Sequence, residues 1–295
     1  MDNLRGALLM IFAMAGFAIE DVFIKKATVG LPIGEVLVIL GFFGGLGFAG
    51  IAYGKGICIL SRSFFHPMVL LRNTGELLGT TAYVTALTLI PLSLLGALLQ
   101  ASPIFVTLGA IVFYRERVGW RRWTAILTGF AGVLIILNPG LDGFNPLALI
   151  GILAAFGLAW RDLASRARPA HVHPLQLASW GFASIVPIGA AMMWIDGGRV
   201  TPDLWQWGLL IGALISGMAG YFALILSVEK GDIAFVIPFR YSRLIFAIGF
   251  GLILFGERPD APTLIGATIV VGSGLYMLLR ERRQMQKAPF PPRTK

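Results

Sequence analysis

The sequence predicts an all-α integral membrane protein with ten transmembrane helices in two inverted five-helix repeats. Three observations support this prediction. Hydrophobic residues make up 57% of the chain and charged residues only 13%, whereas a soluble domain carries about 25% charged residues. The apolar residues are gathered into stretches, most of which reach the roughly 20 residues needed to cross a bilayer. Sequence markers in the first half of the chain return in the second half at one common offset of 141 residues.

Ten apolar stretches follow one another along the chain with short polar segments between them. At 1.5 Å of rise per residue, a helix of about 20 residues crosses about 30 Å of hydrocarbon. We expect the first stretch to be a retained helix, because the cleavage-like tripeptide 13–15 lies inside an apolar run that continues past it. The fifth stretch is the shortest, and its helix can begin earlier than its apolar residues. The predicted spans are 4–27, 33–53, 68–90, 92–114, 123–137, 147–167, 175–195, 205–228, 233–255 and 263–279.

The repeat divides the chain into two halves. Segment 16–21 (GFAIED) returns as 157–162 (GLAWRD), and Glu116-Arg117 returns as Glu257-Arg258. Five helices per half is an odd number, so the second half is expected to sit upside down relative to the first. Two inverted halves are the architecture of many secondary transporters. We assign residues 1–138 to the first repeat, 146–280 to the second, and 281–295 to a basic cytoplasmic tail.

The distribution of positive charge predicts the orientation. Of 24 lysine and arginine residues, four lie inside predicted spans, sixteen on the side of both termini and four on the opposite side. Lysine and arginine accumulate on the cytoplasmic side of membrane proteins, so both termini are expected in the cytoplasm of a bacterial inner membrane. This rule accounts for the net charge of +9 without a nucleic-acid partner.

Each half ends with a Glu-Arg pair after an apolar helix, followed by a glycine-rich helix. The motif residues are Pro103, Arg115-Glu116-Arg117 and 129–132 in the first half, and 239–242, 255–259, Gly266 and 272–274 in the second. In these features the chain resembles the drug/metabolite transporter superfamily, in its ten-helix form built from two EamA-type repeats, and within it the bacterial exporters of aromatic amino acids. Leu244 occupies the place of Pro103, so the ninth helix is expected to lack the mid-helix kink of the fourth.

Two arginines of the ninth span are the first candidates for a site. Arg240 and Arg243 lie about 10 and 15 Å deep, and an arginine near the bilayer centre costs roughly 2.5–3.5 kcal/mol. Their spacing places them on one face of a helix. One interpretation is an anion site in which the guanidinium groups bind a substrate carboxylate. The alternative is a structural bridge to Glu76 or Asp162.

The remaining charged residues inside spans suggest pairing, gating or coupling. Arg72 and Glu76 are spaced i,i+4 and are expected to pair, whereas the neighbours Arg161 and Asp162 are expected to diverge by about 100° and not to pair. Asp21 and Asp162 occupy equivalent repeat positions and are interpreted as residues that fix helix ends or gates. Glu20, Glu76 or Asp162 are the candidates for carrying a coupling proton.

Polar and aromatic side chains at similar depth suggest a cavity between the halves. Tyr83 and Tyr221 lie at nearly equivalent repeat positions. Together with Trp160, Gln100 and Ser102 they are candidates for lining that cavity, and Tyr241 for contacting a substrate side chain. The alternative for a single mid-membrane tyrosine is ordinary packing with a satisfied hydroxyl.

Enzymes and cofactor proteins fit the sequence poorly. The single cysteine, Cys58, excludes an intrachain disulfide and a cysteine-rich metal site. We find no zinc-like Cys/His spacing, dinucleotide fingerprint, Walker motif or nucleophile elbow, and so expect no catalytic residue, metal or cofactor.

The sequence therefore predicts a secondary transporter, possessing no enzyme activity and working as a monomer. The family resemblance implies export of small organic metabolites, above all aromatic or hydrophobic amino acids. Arg240 and Arg243 would hold the carboxylate, and Tyr83, Trp160, Tyr221 and Tyr241 the side chain. Gln100 and Ser102 would complete the polar lining. The alternatives are transport of another metabolite or drug, or flipping of a lipid headgroup.

Overall fold

A computed structural model describes residues 2–115, 119–138, 145–195, 200–230 and 233–287 of the protein. The repeat marker Glu116-Arg117 and the boundary near Gly140 lie outside the described residues. Every regular element that is described is helical, which agrees with the all-α prediction. The α-helices are α1 (Asp2–Ala27), α2 (Ile33–Gly54), α3 (Pro67–Leu89), α4 (Leu92–Leu99), α5 (Ser102–Tyr114), α6 (Trp120–Leu137), α7 (Ala148–Arg166), α8 (Pro174–Ile195), α9 (Leu204–Lys230), α10 (Ile233–Val236), α11 (Ser242–Phe255) and α12 (Ala261–Lys287).

Seven helical segments of the described chain are long and apolar enough to cross a membrane. They are Leu4–Ala27, Ile33–Gly54, Leu92–Tyr114, Ala148–Arg166, Pro174–Ile195, Leu204–Val228 and Ile237–Phe255. Trp123–Leu137 and Ala261–Met277 are shorter apolar helices. Helix α3 has the length of a span but lies outside this set, and it carries Arg72, Asn73 and Glu76. The fifth predicted span does begin earlier than its apolar stretch, at Trp120.

Two of the spans are interrupted at equivalent positions of the repeat. Helix α4 ends at Leu99 and α5 begins at Ser102, with Pro103 in its first turn. In the second half, the 3₁₀ segment Ile237–Tyr241 separates α10 from α11 and has Pro238 in its first turn. The expectation that the ninth span lacks a kink was wrong, because Pro238 lies before Leu244, in the 3₁₀ segment that interrupts the span. A proline donates no backbone hydrogen bond and disfavours a continuous helical ladder.

The principal helix contacts join the two halves. Helix α1 packs on α9, α2 on α8, α3 on α7 and α6 on α12, and α4 packs on α11. Exchanging the halves leaves the first four of these pairings unchanged. The 141-residue offset converts the α1–α9 contact into the α7–α3 contact. It also shows that α2 packs on its own counterpart α8, and α6 on its own counterpart α12.

Close glycine contacts reveal the direction in which paired helices run. Along α2 and α8, Gly34 faces Gly189 whereas Gly45 faces Ser179. Along α6 and α12, Gly129 faces Ser273 whereas Gly132 faces Gly266. In both pairs, residue numbers rise on one helix as they fall on the other, so the helices are antiparallel. Helices α2 and α6 therefore run opposite to their repeat counterparts α8 and α12.

Helix α4 lies at the centre of the packed helices. Seven of its eight residues are buried, among them Leu92, Leu95 and Leu98. Large apolar side chains on the outer surfaces of other helices are exposed, such as Val112 and Ile253. Such surfaces suit contact with lipid, so the polar side chains enclosed between the helices are the candidates for function.

Candidate functional site

Four arginines inside the predicted spans each form an ion pair with a carboxylate. They are Arg72, Arg161, Arg240 and Arg243, and their partners are Glu76, Asp162 and Asp21. The pairs form two groups. We call Arg72, Glu76, Arg161, Asp162 and Arg240 the Glu76 chain, and Asp21, Arg243 and Tyr83 the Asp21 cluster.

The Glu76 chain begins with the pair that the i,i+4 spacing predicts. Arg72 Nη2 lies 2.5 Å from Glu76 Oε2 on α3. The other carboxylate oxygen accepts hydrogen bonds from Arg161 Nη1 of α7 at 3.2 Å and from Thr80 Oγ1 at 3.2 Å. Glu76 therefore connects α3 with α7 as well as satisfying its neighbour on the same helix.

Arg161 continues the chain by pairing with the adjacent residue. Its Nε and Nη2 donate to Asp162 Oδ1 at 3.0 and 2.8 Å. The expectation that these neighbours do not pair was wrong, because the long arginine side chain bends around the helix and spans their angular separation. Asp162 Oδ2 lies 3.4 Å from Arg240 Nη2. Positive and negative groups thus alternate from Arg72 to Arg240, linking α3, α7 and the 3₁₀ segment.

Arg72 is the most enclosed of these arginines, with 2% of its side chain exposed. Its Nη1 donates to Asn73 Oδ1 at 3.0 Å, and its Nη2 lies 3.4 Å from the Tyr221 hydroxyl. The Tyr221 ring packs edge-on against Phe48 and Phe182. Arg72 therefore brings the predicted cavity residue Tyr221 of α9 against the Glu76 chain.

The Asp21 cluster joins α1, α3 and α11. Arg243 Nη2 donates to both oxygens of Asp21 at 3.1 and 3.0 Å and to the Tyr83 hydroxyl at 2.8 Å. The guanidinium also lies over the rings of Phe17 and Tyr83, 5.4 and 5.2 Å from their centroids. The bridge partners considered from the sequence, Glu76 and Asp162, were wrong for Arg243, although Asp162 does pair with Arg240.

Glu20 differs from the other acids inside spans. Its carboxylate lies against Gly217 of α9, where a Cβ would overlap it, and within electrostatic range of Asp21 and Arg243. Among the residues the structure describes, no hydrogen bond or ion pair engages this carboxylate. Asp21 and Asp162 sit within α1 and α7, several residues before the helix ends, and act as arginine partners.

Four predicted site residues form no hydrogen bond with these charged groups in the described parts of the chain. Gln100 Nε2 donates to Gly96 O at 3.2 Å, and Ser102 begins α5. The Tyr241 hydroxyl lies against Gly274 of α12 and lacks a partner among described atoms. Trp160 donates to Leu71 O at 3.1 Å, and its ring packs against Phe113 and Phe156.

The sequence interpretation missed one interaction that also joins the halves. Lys25 pairs with Glu257, and Glu257 accepts hydrogen bonds from Leu92 and Ser93. Glu257 was used only as a marker of the repeat. The recurrence of its Glu-Arg pair was the available signal that this carboxylate has a role. No group of three or more potential metal ligands occurs within the described ranges.

Comparison with known proteins places this chain in a family. The EamA-like transporter family matches residues 4–138 and 145–279. The S-adenosylmethionine uptake transporter of Rickettsia bellii (strain RML369-C) is 29% identical over 80% of this chain and 79% of its own. The riboflavin transporter of Vibrio cholerae serotype O1 is 30% identical over 96% of both chains.

A third relative and a solved structure extend the comparison. The pseudopaline exporter CntI of Pseudomonas aeruginosa is 27% identical over 92% of this chain and 95% of its own. A crystal structure superposes with a TM-score of 0.65 over 96% of this chain and 99% of the other, at 20% identity, which shows a shared fold. With two matching segments that cover nearly its whole length, the chain belongs to the EamA-like transporter family of multi-pass membrane proteins.

Proposed function

We propose that this protein is an inner-membrane secondary transporter for a small organic metabolite that carries charged groups. The observation that carries the proposal is the enclosed network of four arginines and their carboxylate partners between the helices. Ionisable side chains at membrane depth are costly and mark substrate or ion pathways. The similarity to transporters of S-adenosylmethionine, riboflavin and pseudopaline supports a small-molecule substrate.

Alternating access between two inverted halves is the proposed mechanism. Counterpart helices run antiparallel, and the spans of both halves are interrupted at the same repeat position, which supports ten crossings in two inverted repeats. Rocking of one half against the other would then expose the network to each side in turn. The excess of lysine and arginine on one side supports cytoplasmic termini.

Arg240 is the group that we assign to the substrate carboxylate. Its side chain is 44% exposed, and its contact with Asp162 is 3.4 Å long. Arg243 is 20% exposed and is bound by both Asp21 and Tyr83. We therefore assign it as the second arginine that binds the substrate carboxylate, which it does after releasing Asp21. A guanidinium can bind a carboxylate through two parallel hydrogen bonds.

The other predicted residues divide by their contacts. Tyr83 and Tyr221 touch the arginines and are kept as lining residues. The contacts of Trp160 and Tyr241 favour packing, and Gln100 and Ser102 remain candidates for the polar lining. Glu20, without a partner among described residues, is our candidate for carrying a proton. Asp21, Glu76 and Asp162 would act as gating groups by releasing their arginines.

A zwitterion fits this site best. The network presents both guanidinium and carboxylate groups, so it can neutralise an ammonium and a carboxylate on the same molecule. S-adenosylmethionine carries both groups and riboflavin carries neither, which makes these two compounds a useful pair of test substrates. Export of an aromatic amino acid is a narrower proposal that rests on sequence resemblance, since the named relatives include both uptake and export proteins.

The test is transport by the purified protein in proteoliposomes, with and without a pH gradient. We expect Arg240→Ala to weaken transport of an amino-acid-containing substrate by about 1.5–3 kcal/mol, the scale of a hydrogen bond to a charged group. The decarboxylated amine analogue should be little affected. Arg168→Ala, which removes an exposed arginine after α7, is the matched control and should leave both rates unchanged.

Two outcomes would contradict the assignment. An equal loss for the acid and its amine analogue would make Arg240 a structural residue. Lipid scrambling without metabolite flux would instead favour a headgroup flippase, in which the same arginine would bind a phosphate.

A further inference from the structure

Three segments meet at the end of the helices that lies away from the arginine network. They are the last turn of α1, the joint between α3 and α4, and the end of α11. Arg243 stands near the start of α11, and Glu257 lies two residues after its last residue, Phe255. At 1.5 Å per residue, the fourteen positions between Arg243 and Glu257 correspond to about 20 Å along the helix.

Glu257 binds the first turn of α4 through both carboxylate oxygens. Gly256 adopts a left-handed conformation with φ 62°, and the Glu257 amide donates back to Gly251 O at 2.9 Å. This turn directs the side chain to α4. Leu92 N lies 2.7 Å from Oε1, and Ser93 N and Oγ each lie 2.9 Å from Oε2. The first amides of a helix have no partner within the helix and attract negative charge.

Lys25 of α1 binds both Glu257 and the joint between α3 and α4. Its ammonium donates to Ile90 O at 2.8 Å and to Glu257 Oε1 at 3.2 Å, and it lies 5.3 Å from the centroid of the Phe255 ring. Burial raises the pKa of Glu257, but the hydrogen bonds from Ser93 and Leu92 and the charge of Lys25 outweigh it and hold the pKa below its ordinary 4.5. The carboxylate is therefore ionised at neutral pH.

The chain between this junction and the arginine network is closely packed. On α3, Ala86 lies three residues after Tyr83 and four before Ile90, on one face of the helix. Ala86 and Leu87 are 0% exposed and Ile90 is 2% exposed. These residues therefore leave no exposed surface on this face of α3 between Tyr83 and Ile90.

We propose that Lys25, Glu257 and the first turn of α4 form a latch that holds this end of the transport pathway closed and releases when it opens. Glu257 belongs to the second half, whereas Lys25 and α4 belong to the first. A rocking motion that parts the halves here must break the four polar contacts that Glu257 forms with Lys25, Leu92 and Ser93. The inference rests on the proposed transport function, but its test needs no substrate.

The experiment measures the reactivity of a buried cysteine in the full-length protein in lipid nanodiscs, where reagent reaches both faces. Cys58→Ser removes the single native thiol, and Ala86→Cys places a reporter behind the latch. We expect a water-soluble maleimide to label the reporter on the order of tenfold faster after Glu257→Gln or Lys25→Met, since hydrogen bonds to charged groups are lost. Lys26→Met removes the neighbouring exposed lysine and should leave the rate unchanged.

Conservative and alternative variants keep the test decisive. Lys25→Arg, which preserves the positive charge, should label close to the parent rate. Leu87→Cys is a second reporter should Ala86→Cys fold poorly. Unchanged labelling in both latch variants, or equal acceleration by Lys26→Met, would overturn the latch. A lower unfolding temperature with unchanged labelling would also overturn it, because Glu257 would then only stabilise the start of α4. Failure of substrate transport alone leaves this readout intact, so the two proposals fail separately.

Discussion

Individual ion pairs explain how this chain holds four arginines between membrane helices. Taking one guanidinium out of water is costly unless a carboxylate and further hydrogen bonds compensate it. Arg161 has two carboxylate partners, and Arg243 combines a carboxylate, a hydroxyl and two aromatic faces. With this compensation the arginines can remain charged, and the same partners are the groups that a charged substrate must displace.

Two buried tyrosines offer a matched test of these contacts. Tyr83→Phe should lower the free energy of unfolding by about 1.5–3 kcal/mol, because it removes an acceptor from Arg243. Tyr241→Phe should be neutral or slightly stabilising, since its hydroxyl is buried without a partner among described atoms. Thermal unfolding of the purified proteins in detergent checks both. Equal losses in the two variants would show that the Arg243–Tyr83 hydrogen bond contributes little.

The members of the network were predictable from the sequence, but most of their partners were not. A charge inside an apolar span is costly wherever the helix packs, so Arg240, Arg243 and Asp162 stand out without a structure. Arg243 and Asp21 are 222 positions apart, and only the packing of α1 beside α11 brings them together. The i,i+4 spacing correctly predicted the pair of Arg72 and Glu76, because both residues lie on one helix and the helix fixes the distance between them.

Glycine contacts set the helix spacing at the scale of the elements. A Cβ on Gly157 would lie 2.5 Å from Gly79 Cα, and one on Gly16 would lie 3.0 Å from Gly220 Cα. The 141-residue offset takes Gly16 to Gly157 and Gly79 to Gly220. The crossings of α1 with α9 and of α7 with α3 therefore use the same pair of glycines, as small residues in membrane helices commonly do.

Methyl groups added at glycines test this packing. Gly157→Ala should destabilise the protein by about 1–3 kcal/mol, because the neighbouring backbone of α3 must move to admit the Cβ. Gly208→Ala, on α9 where a Cβ meets nothing within 4 Å, should be neutral or stabilising by up to about 1 kcal/mol from helix propensity. Unfolding measurements compare the two. Similar stability changes would mean that α3 and α7 separate without cost.

The interruptions of the two broken spans illustrate the limit of reading a repeat position by position. Pro103 and Leu244 are aligned by the offset, and that comparison alone predicted one broken helix. Both spans are interrupted in the structure, because Pro238 lies in the 3₁₀ segment that precedes α11. A helix can be interrupted by a proline at more than one position, so the substitution of one residue does not decide its course.

The arrangement of the whole molecule joins the arginine network, the latch and the repeat. Helices of one half pack mainly on helices of the other, and so the interface between the halves is where motion would have its largest effect. The arginine network and the latch both cross this interface. Arg243 and Glu257 are about 20 Å apart along α11, and Asp21 and Lys25 are one turn apart on α1. A motion that parts the halves would therefore act on both the arginine network and the latch.

Membrane topology is the prediction that tests this arrangement as a whole. Helices α3, α6 and α12 are less apolar or shorter than typical spans, yet α3 packs along α7, and α6 along α12. Since each partner lies in the bundle, we expect all three to cross. A reporter after Lys295 and one inserted near Gly56 should then be cytoplasmic, and one near Gly140 external. Each is scored by enzyme activity or fluorescence that depends on the side of the membrane. If the reporters near Gly140 and after Lys295 lie on the same side, the second half crosses an even number of times and the inverted five-plus-five arrangement is wrong.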